Sequence, residues 1–320
     1  MMSFLKSGRL ISTLAAIGLI ASMAQGATPG PSEEVQGLRD LESRLTVPVT
    51  INGGGPYHFV VDTGAERTVI SRELADRLTL VASDPVTVLS ITGTERVDTA
   101  IVPELKLTSS RSRLEDLQAP ILSEYNLGAS GMLGIDSLQT KRVVMDFHAM
   151  RMSISDAPRA ALVDNDEIVV TARRKLGQLI LVDAEADGQK ISVIIDTGSA
   201  VSIGNPHLRR RLAQRGLLGL SKPIMITSVT GGQTPADYTQ VDKIRIGAVT
   251  MVDMPIAFAD PKIFHRLGLD RKPALLLGMD ALRLFDRVSI DFANRNVRFI
   301  LKGNALQIAP QYAGLLPRRG

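Results

Sequence analysis

The chain has 320 residues, 44% of them hydrophobic, and its 37 Lys and Arg against 33 Asp and Glu leave a formal charge of +4. That suits a globular protein with a buried core, and the small excess excludes the dense basic surface that nucleic acid demands. The sequence has no cysteine, which excludes disulfides, thiolate metal sites and a cysteine nucleophile. His58, His148, His207 and His265 lack metal-ligand spacing, so neither a metal nor a cofactor is expected.

At the N-terminus, Lys6 and Arg9 precede an apolar run from Leu10 to Met23, and small residues Ala24 and Gly26 flank Gln25. The pattern predicts a signal peptide over residues 1–26, because the run is short of the ~20 residues a membrane span needs. Removing it takes away two basic residues and no acidic one. The expectation is a protein in the periplasm or secreted, with no stable membrane insertion after cleavage.

Residues 27–42, with Pro29 and Pro31, read as a loose leader. A first β-rich unit then spans 43–157: Leu45–Ile51, a Gly-rich turn at Gly53–Gly55, and Phe59-Val60-Val61 leading into Asp62-Thr63-Gly64. A short helix is predicted from Arg72 to Leu78, a turn at Thr92-Gly93-Thr94, and later Met132-Leu133-Gly134-Ile135-Asp136 followed by Val143-Val144-Met145-Asp146-Phe147. Residues 158–175 suit a linker, or a strand tying two units together.

The same order then returns in 176–305. Leu179–Val182 and a turn near Asp187-Gly188 lead through Val193-Ile194-Ile195 into Asp196-Thr197-Gly198. A helix is predicted over Pro206–Arg215, a turn at Thr230-Gly231-Gly232, then Leu276-Leu277-Gly278-Met279-Asp280, a short helix to Leu284, and Val288-Ser289-Ile290-Asp291-Phe292. Residues 306–320 form a tail. Two ordered copies 134 residues apart at the triplets are a tandem duplication. Arg209, Arg210, Arg211 and Arg215 read as a solvated helix face, since no aromatic residues interleave for base stacking.

An Asp ending an apolar strand, followed by a small hydroxyl residue and Gly, supplies a carboxylate, a brace and a backbone open to close approach. If the copies pack about a pseudo-twofold axis, Asp62 and Asp196 meet there. Two carboxylates so placed share one proton, one serving as base and the other as acid. Ser199 has no histidine nearby to activate it.

These residues resemble the retropepsin-like aspartic peptidases, in the single-chain, duplicated form seen among bacterial exported proteins, over roughly 43–302. The resemblance rests on the paired Asp-Thr-Gly and on Leu133-Gly134 and Leu277-Gly278. It implies a mostly β fold of two retropepsin- or pepsin-like β-barrel lobes related by a pseudo-twofold axis, with the active site between them. It implies an aspartic endopeptidase with Asp62 and Asp196 catalytic and Thr63, Gly64, Thr197 and Gly198 supporting the loops. Gly93, Gly231 and Gly232 would stand at two flap tips over an extended peptide or protein substrate. A monomer suffices, because each chain carries both aspartates. Glu66-Arg67 after the first triplet against Ala200-Val201 after the second predicts an asymmetric cleft, and neither flap carries a tyrosine. Two rivals are a noncatalytic peptide-binding pseudo-peptidase of the cell envelope and a structural β protein, the latter leaving the ordered repeat unexplained.

Overall fold

The computed structural model describes residues 3–5, 45–107, 113–157, 167–303 and 306–310. The leader at 27–42 lies outside the described residues. So do most of the signal segment, the start of the linker and most of the tail. Among the described residues no helix is long and apolar enough to cross a membrane.

The fold is mostly β, in two lobes with one strand order. In the first lobe the hydrogen-bonded sequence of strands is Thr46–Ile51, Gly54–Val61, Gly131–Leu133, Val69–Ser71, Arg113–Leu122, Gly93–Leu107 and Val81–Ser90. In the second it is Gln178–Leu181, Ser192–Ile195, Ala274–Leu277, Ile203–Gly204, Val249–Phe258, Gln233–Ile246 and Lys222–Ser228. Ser3–Leu5 adds a short strand antiparallel to Lys222–Ser228.

The strand leading to each triplet pairs in parallel with the later apolar strand, Val61 beside Leu133 and Ile195 beside Leu277. Both strands of each pair are covered on two faces, so they read as unbroken apolar runs instead of alternating ones. Val61, Leu133, Ile195 and Leu277 are all at most 2% exposed. The parallel partner also sets the next backbone bond, Asp62 N–H donating to Leu133 O at 2.9 Å and Asp196 N–H to Leu277 O at 3.0 Å. The two aspartates therefore begin where regular pairing ends.

The predicted helices form at Arg72–Arg77, Pro206–Gln214 and Met279–Leu282. Ser71 and Asn205 cap the first two with their side chains, as expected at helix N-termini. Arg209 on the basic helix pairs with Asp237. Three further short helices, Glu124–Leu127, Ile135–Leu138 and Lys262–Arg266, carry too few turns for periodicity to mark them.

The copies are joined by a shared sheet. Lys141–Asp146 of the first copy lies antiparallel to Phe285–Asp291 of the second, centred on Val144 opposite Ser289. The segment read as a linker or tying strand is a strand where described: Ile168–Lys175 pairs with both Asn296–Leu301 and Gln178–Leu181.

Two ion pairs repeat across this junction, Arg142–Asp291 at 2.8 Å and Arg287–Asp146 at 3.1 Å. Asp291 is fully buried. Burial works to raise its pKa, but hydrogen bonds from Asn294 and Arg142 outweigh it and hold the carboxyl below the ordinary range. A depressed folded value means the stabilisation is complete above the unfolded carboxylate pKa and lost as pH falls through the folded one. We expect urea midpoints of Arg142→Met to fall below wild type at pH 7, with the gap closing toward pH 2. A gap that stays constant with pH would show that packing, not charge, joins the sheet here.

Candidate active site

Each triplet opens a loop whose carboxylate is gripped by its own backbone. Asp62 Oδ1 accepts from Gly64 N–H at 2.7 Å and Ala65 N–H at 3.0 Å, and Asp196 Oδ1 accepts from Gly198 N–H at 3.0 Å. Both side chains are 0% exposed. Two buried carboxyls in hydrogen-bonding contact cannot both ionise cheaply. Burial first, and then the charge of Asp62, hold the Asp196 carboxyl well above the ordinary carboxylate range.

The threonines lock the loops reciprocally. Thr63 N–H donates to Thr197 Oγ1 and Thr197 N–H to Thr63 Oγ1, both at 3.1 Å. Each hydroxyl in turn donates across the axis, Thr63 to Ile195 O and Thr197 to Val61 O, both at 2.7 Å. A valine at position 63 keeps the shape but leaves Thr197 N–H and Ile195 O unsatisfied in a buried site, a loss of about 3 kcal/mol. Thr63→Ser retains both bonds. We expect chemical denaturation to rank wild type, Thr63→Ser and Thr63→Val in that order, and equal stability of the two variants would contradict the lock.

The turns at Gly93 and at Gly231-Gly232 meet each other. Thr92 Oγ1 donates to Ser228 Oγ at 3.1 Å, in a group of hydroxyls that also holds Ser90 and Thr230. A Cβ on Gly232 would stand 2.5 Å from Thr92 Oγ1, so the two hairpins touch tip to tip. Each tip also buries an apolar residue in the opposite lobe. Ile91 joins an apolar cluster of the second lobe that includes Ile180, Ile203 and Phe264, and Val229 joins one of the first lobe that includes Val69, Leu122 and Leu127.

Among the described residues no group of three or more His, Cys, Asp or Glu side chains is placed to hold a metal ion. One family model, described as aspartyl protease, matches residues 47–137 and again residues 182–281. The chain belongs to the retropepsin-like aspartyl protease family. The two matches make this aspartyl protease a tandem duplication, each copy carrying one Asp-Thr-Gly. No curated protein matches it as a relative.

Two pairs of residues in this aspartyl protease escaped assignment from sequence. Thr68 donates its hydroxyl to Asp136 Oδ1 at 2.6 Å and accepts from Gly134 N–H at 3.1 Å. Ser202 repeats the arrangement with Asp280 at 2.7 Å and Gly278 N–H at 3.1 Å. These carboxyls fasten the apolar-apolar-Gly element to the loop behind each triplet. Burial pushes Asp280 up to about 6 against the pull of Ser202. The signal was the second repeated Asp, visible in both copies but without a partner until the chain folds.

The glycines of the triplets were expected to prevent backbone collisions. The neighbour is instead the opposite aspartate: a Cβ on Gly64 would lie 2.8 Å from Asp196 Cγ, and one on Gly198 would lie 2.3 Å from Asp62 Cγ. Backbone contact does explain Gly134 and Gly278, whose Cβ atoms would stand 2.4 and 2.5 Å from the carbonyl carbons of Arg67 and Val201. Asymmetry enters just after the first triplet. Glu66 is paired by Arg266 of the second lobe at 2.6 Å, whereas Ala200 stands at the equivalent position of the second copy.

Proposed function

We propose that the protein is an aspartic endopeptidase that hydrolyses peptide bonds with a water activated by Asp62 and Asp196. The observation that carries this reading is the reciprocal threonine lock around two fully buried carboxyls in hydrogen-bonding contact. Asp196, whose carboxyl burial holds well above the ordinary carboxylate range, donates its proton to the scissile carbonyl oxygen. Asp62 takes a proton from the water as its oxygen bonds to the carbonyl carbon, giving a tetrahedral diol. When the C–N bond breaks, the leaving nitrogen takes the proton from Asp62, and a diol hydroxyl returns one to Asp196. The dyad is then restored.

The substrate is a peptide or protein in extended form, admitted when the flap hairpins part. Asp62 and Asp196 come from one chain, so a monomer is sufficient. The basic patch of the Pro206–Gln214 helix is a solvated face and takes no nucleic acid. Residues 1–26 direct export, and the mature protein works in the periplasm or outside the cell. The same fold without catalysis would make a peptide-binding pseudo-peptidase.

One experiment separates the two. The exported, processed protein is incubated with a broad peptide library from acid to neutral pH beside Asp62→Asn. Cleavage lost in the variant supports the endopeptidase. Peptides retained but never cut by folded wild type support the pseudo-peptidase.

A further inference from the structure

The side chain of Gln178 opens the strand Gln178–Leu181 just after the turn at Leu176-Gly177, both at positive φ. That turn is pressed onto the first lobe, since a Cβ on Gly177 would lie 2.7 Å from Ile135 Cγ2. Gln178 is 1% exposed and its Nε2 donates to Gly64 O at 2.8 Å. The carbonyl of Gly64 and the N–H of Ala65 belong to one peptide group, and that N–H donates to Asp62 Oδ1 at 3.0 Å. The second lobe thus reaches through a single peptide unit to the carboxylate of the first. A donor on the carbonyl strengthens the N–H at the other end of the same peptide.

The amide orientation is fixed, because turning it over would set two oxygens against each other. Oε1 is therefore the outer atom, and it is buried with no hydrogen-bond donor among the described residues. Buried acceptors are nearly always partnered, so an orphan needs an explanation. Asp196 Oδ2 is orphaned in the same way. Both flank Gly64, one through its carbonyl and one at the point a Cβ would occupy. An unfilled acceptor on the aspartate pair is what a substrate-facing carboxyl shows, and Gln178 presents a second unfilled acceptor on a side chain bonded to the same Gly64.

We propose that Gln178 is a two-ended link at one side of the cleft, its amide N–H positioning Asp62 through the Gly64–Ala65 peptide and its Oε1 accepting a backbone N–H of the bound peptide. An acceptor fixed on one side gives the cleft a direction for an extended chain, whose N–H and C=O groups run in a fixed order. This rests on the endopeptidase reading above.

The test uses the full chain, expressed for export, as wild type, Gln178→Met and Gln178→Glu, with one cleaved peptide from the library and its series of single backbone N-methyl derivatives. We expect Gln178→Met to lower kcat/KM about 30-fold in protein that remains folded, and to move the limb of the pH profile governed by the dyad. We also expect one N-methyl position that wild type rejects about tenfold to be accepted equally by Gln178→Met. Gln178→Glu, which keeps the acceptor and loses the donor, should still reject that derivative while its pH limb moves. Equal rejection of every derivative by wild type and Gln178→Met, or a change confined to melting temperature, overturns the proposal. If folded wild type cleaves nothing, the endopeptidase reading has failed. The role of Gln178 is then read from binding of a library-selected peptide and its N-methyl series, where the same loss of discrimination supports it and no difference overturns it.

Discussion

Asp62→Asn and Asp196→Asn are each expected to lower peptide hydrolysis by about 10³-fold or more, because an amide can neither take the proton from water nor share one with the remaining carboxyl. Folding survives, since the threonine lock around the loops uses backbone and hydroxyl groups only. The variants are also expected to melt higher than wild type at neutral pH. Asp196 has a folded pKa raised above its unfolded value of 3.8, by burial and then by the charge of Asp62. Its contribution to stability is complete below the unfolded value and lost as pH rises through the folded one. Asp62→Asn removes the neighbouring charge, so its melting temperature should exceed that of wild type increasingly as pH climbs from 4 to 7. A variant that melts with wild type at every pH would mean that the two carboxyls do not share a proton, and retained hydrolysis would sink the mechanism itself.

Gly198→Ala is the second large effect. The new methyl would lie 2.3 Å from Asp62 Cγ and Oδ2, well inside van der Waals contact, so the carboxyl of the opposite lobe must leave its place. Displacing a reacting group by even an ångström costs about 10²-fold in rate, and overpacking the junction costs about 2 kcal/mol in stability. Gly64→Ala, with its closest approach of 2.8 Å, should fall in the same direction by less. Steady-state rates of the two variants measured side by side decide the matter. Wild-type kcat in Gly198→Ala would show that the loops are looser than the reciprocal bonds imply.

Much of the fold could be read from residues. The unbroken runs Phe59-Val60-Val61 and Val193-Ile194-Ile195 are unbroken because both faces of those strands are covered, and the short helices at Arg72 and Pro206 form as expected, with Ser71 and Asn205 capping them. The three helices missed, each five residues or fewer, lie at turns where tertiary contacts and not periodicity decide the backbone. Glu66 was legible as an asymmetry, but its partner Arg266 lies 200 residues away.

Duplication and the two triplets were determined by the sequence alone, because a repeated order of strand, Asp-Thr-Gly, turn and apolar-apolar-Gly is a one-dimensional pattern. That both aspartates meet follows from packing the two copies about one axis, and the sequence could state it only as a condition. Which groups surround them was decided by tertiary structure: the opposite aspartate behind each triplet glycine, Asp136 and Asp280 behind Thr68 and Ser202, and Gln178 on the Gly64 carbonyl. Hydrogen bonds and burial depend on distances between residues far apart in the chain, and no local pattern records them.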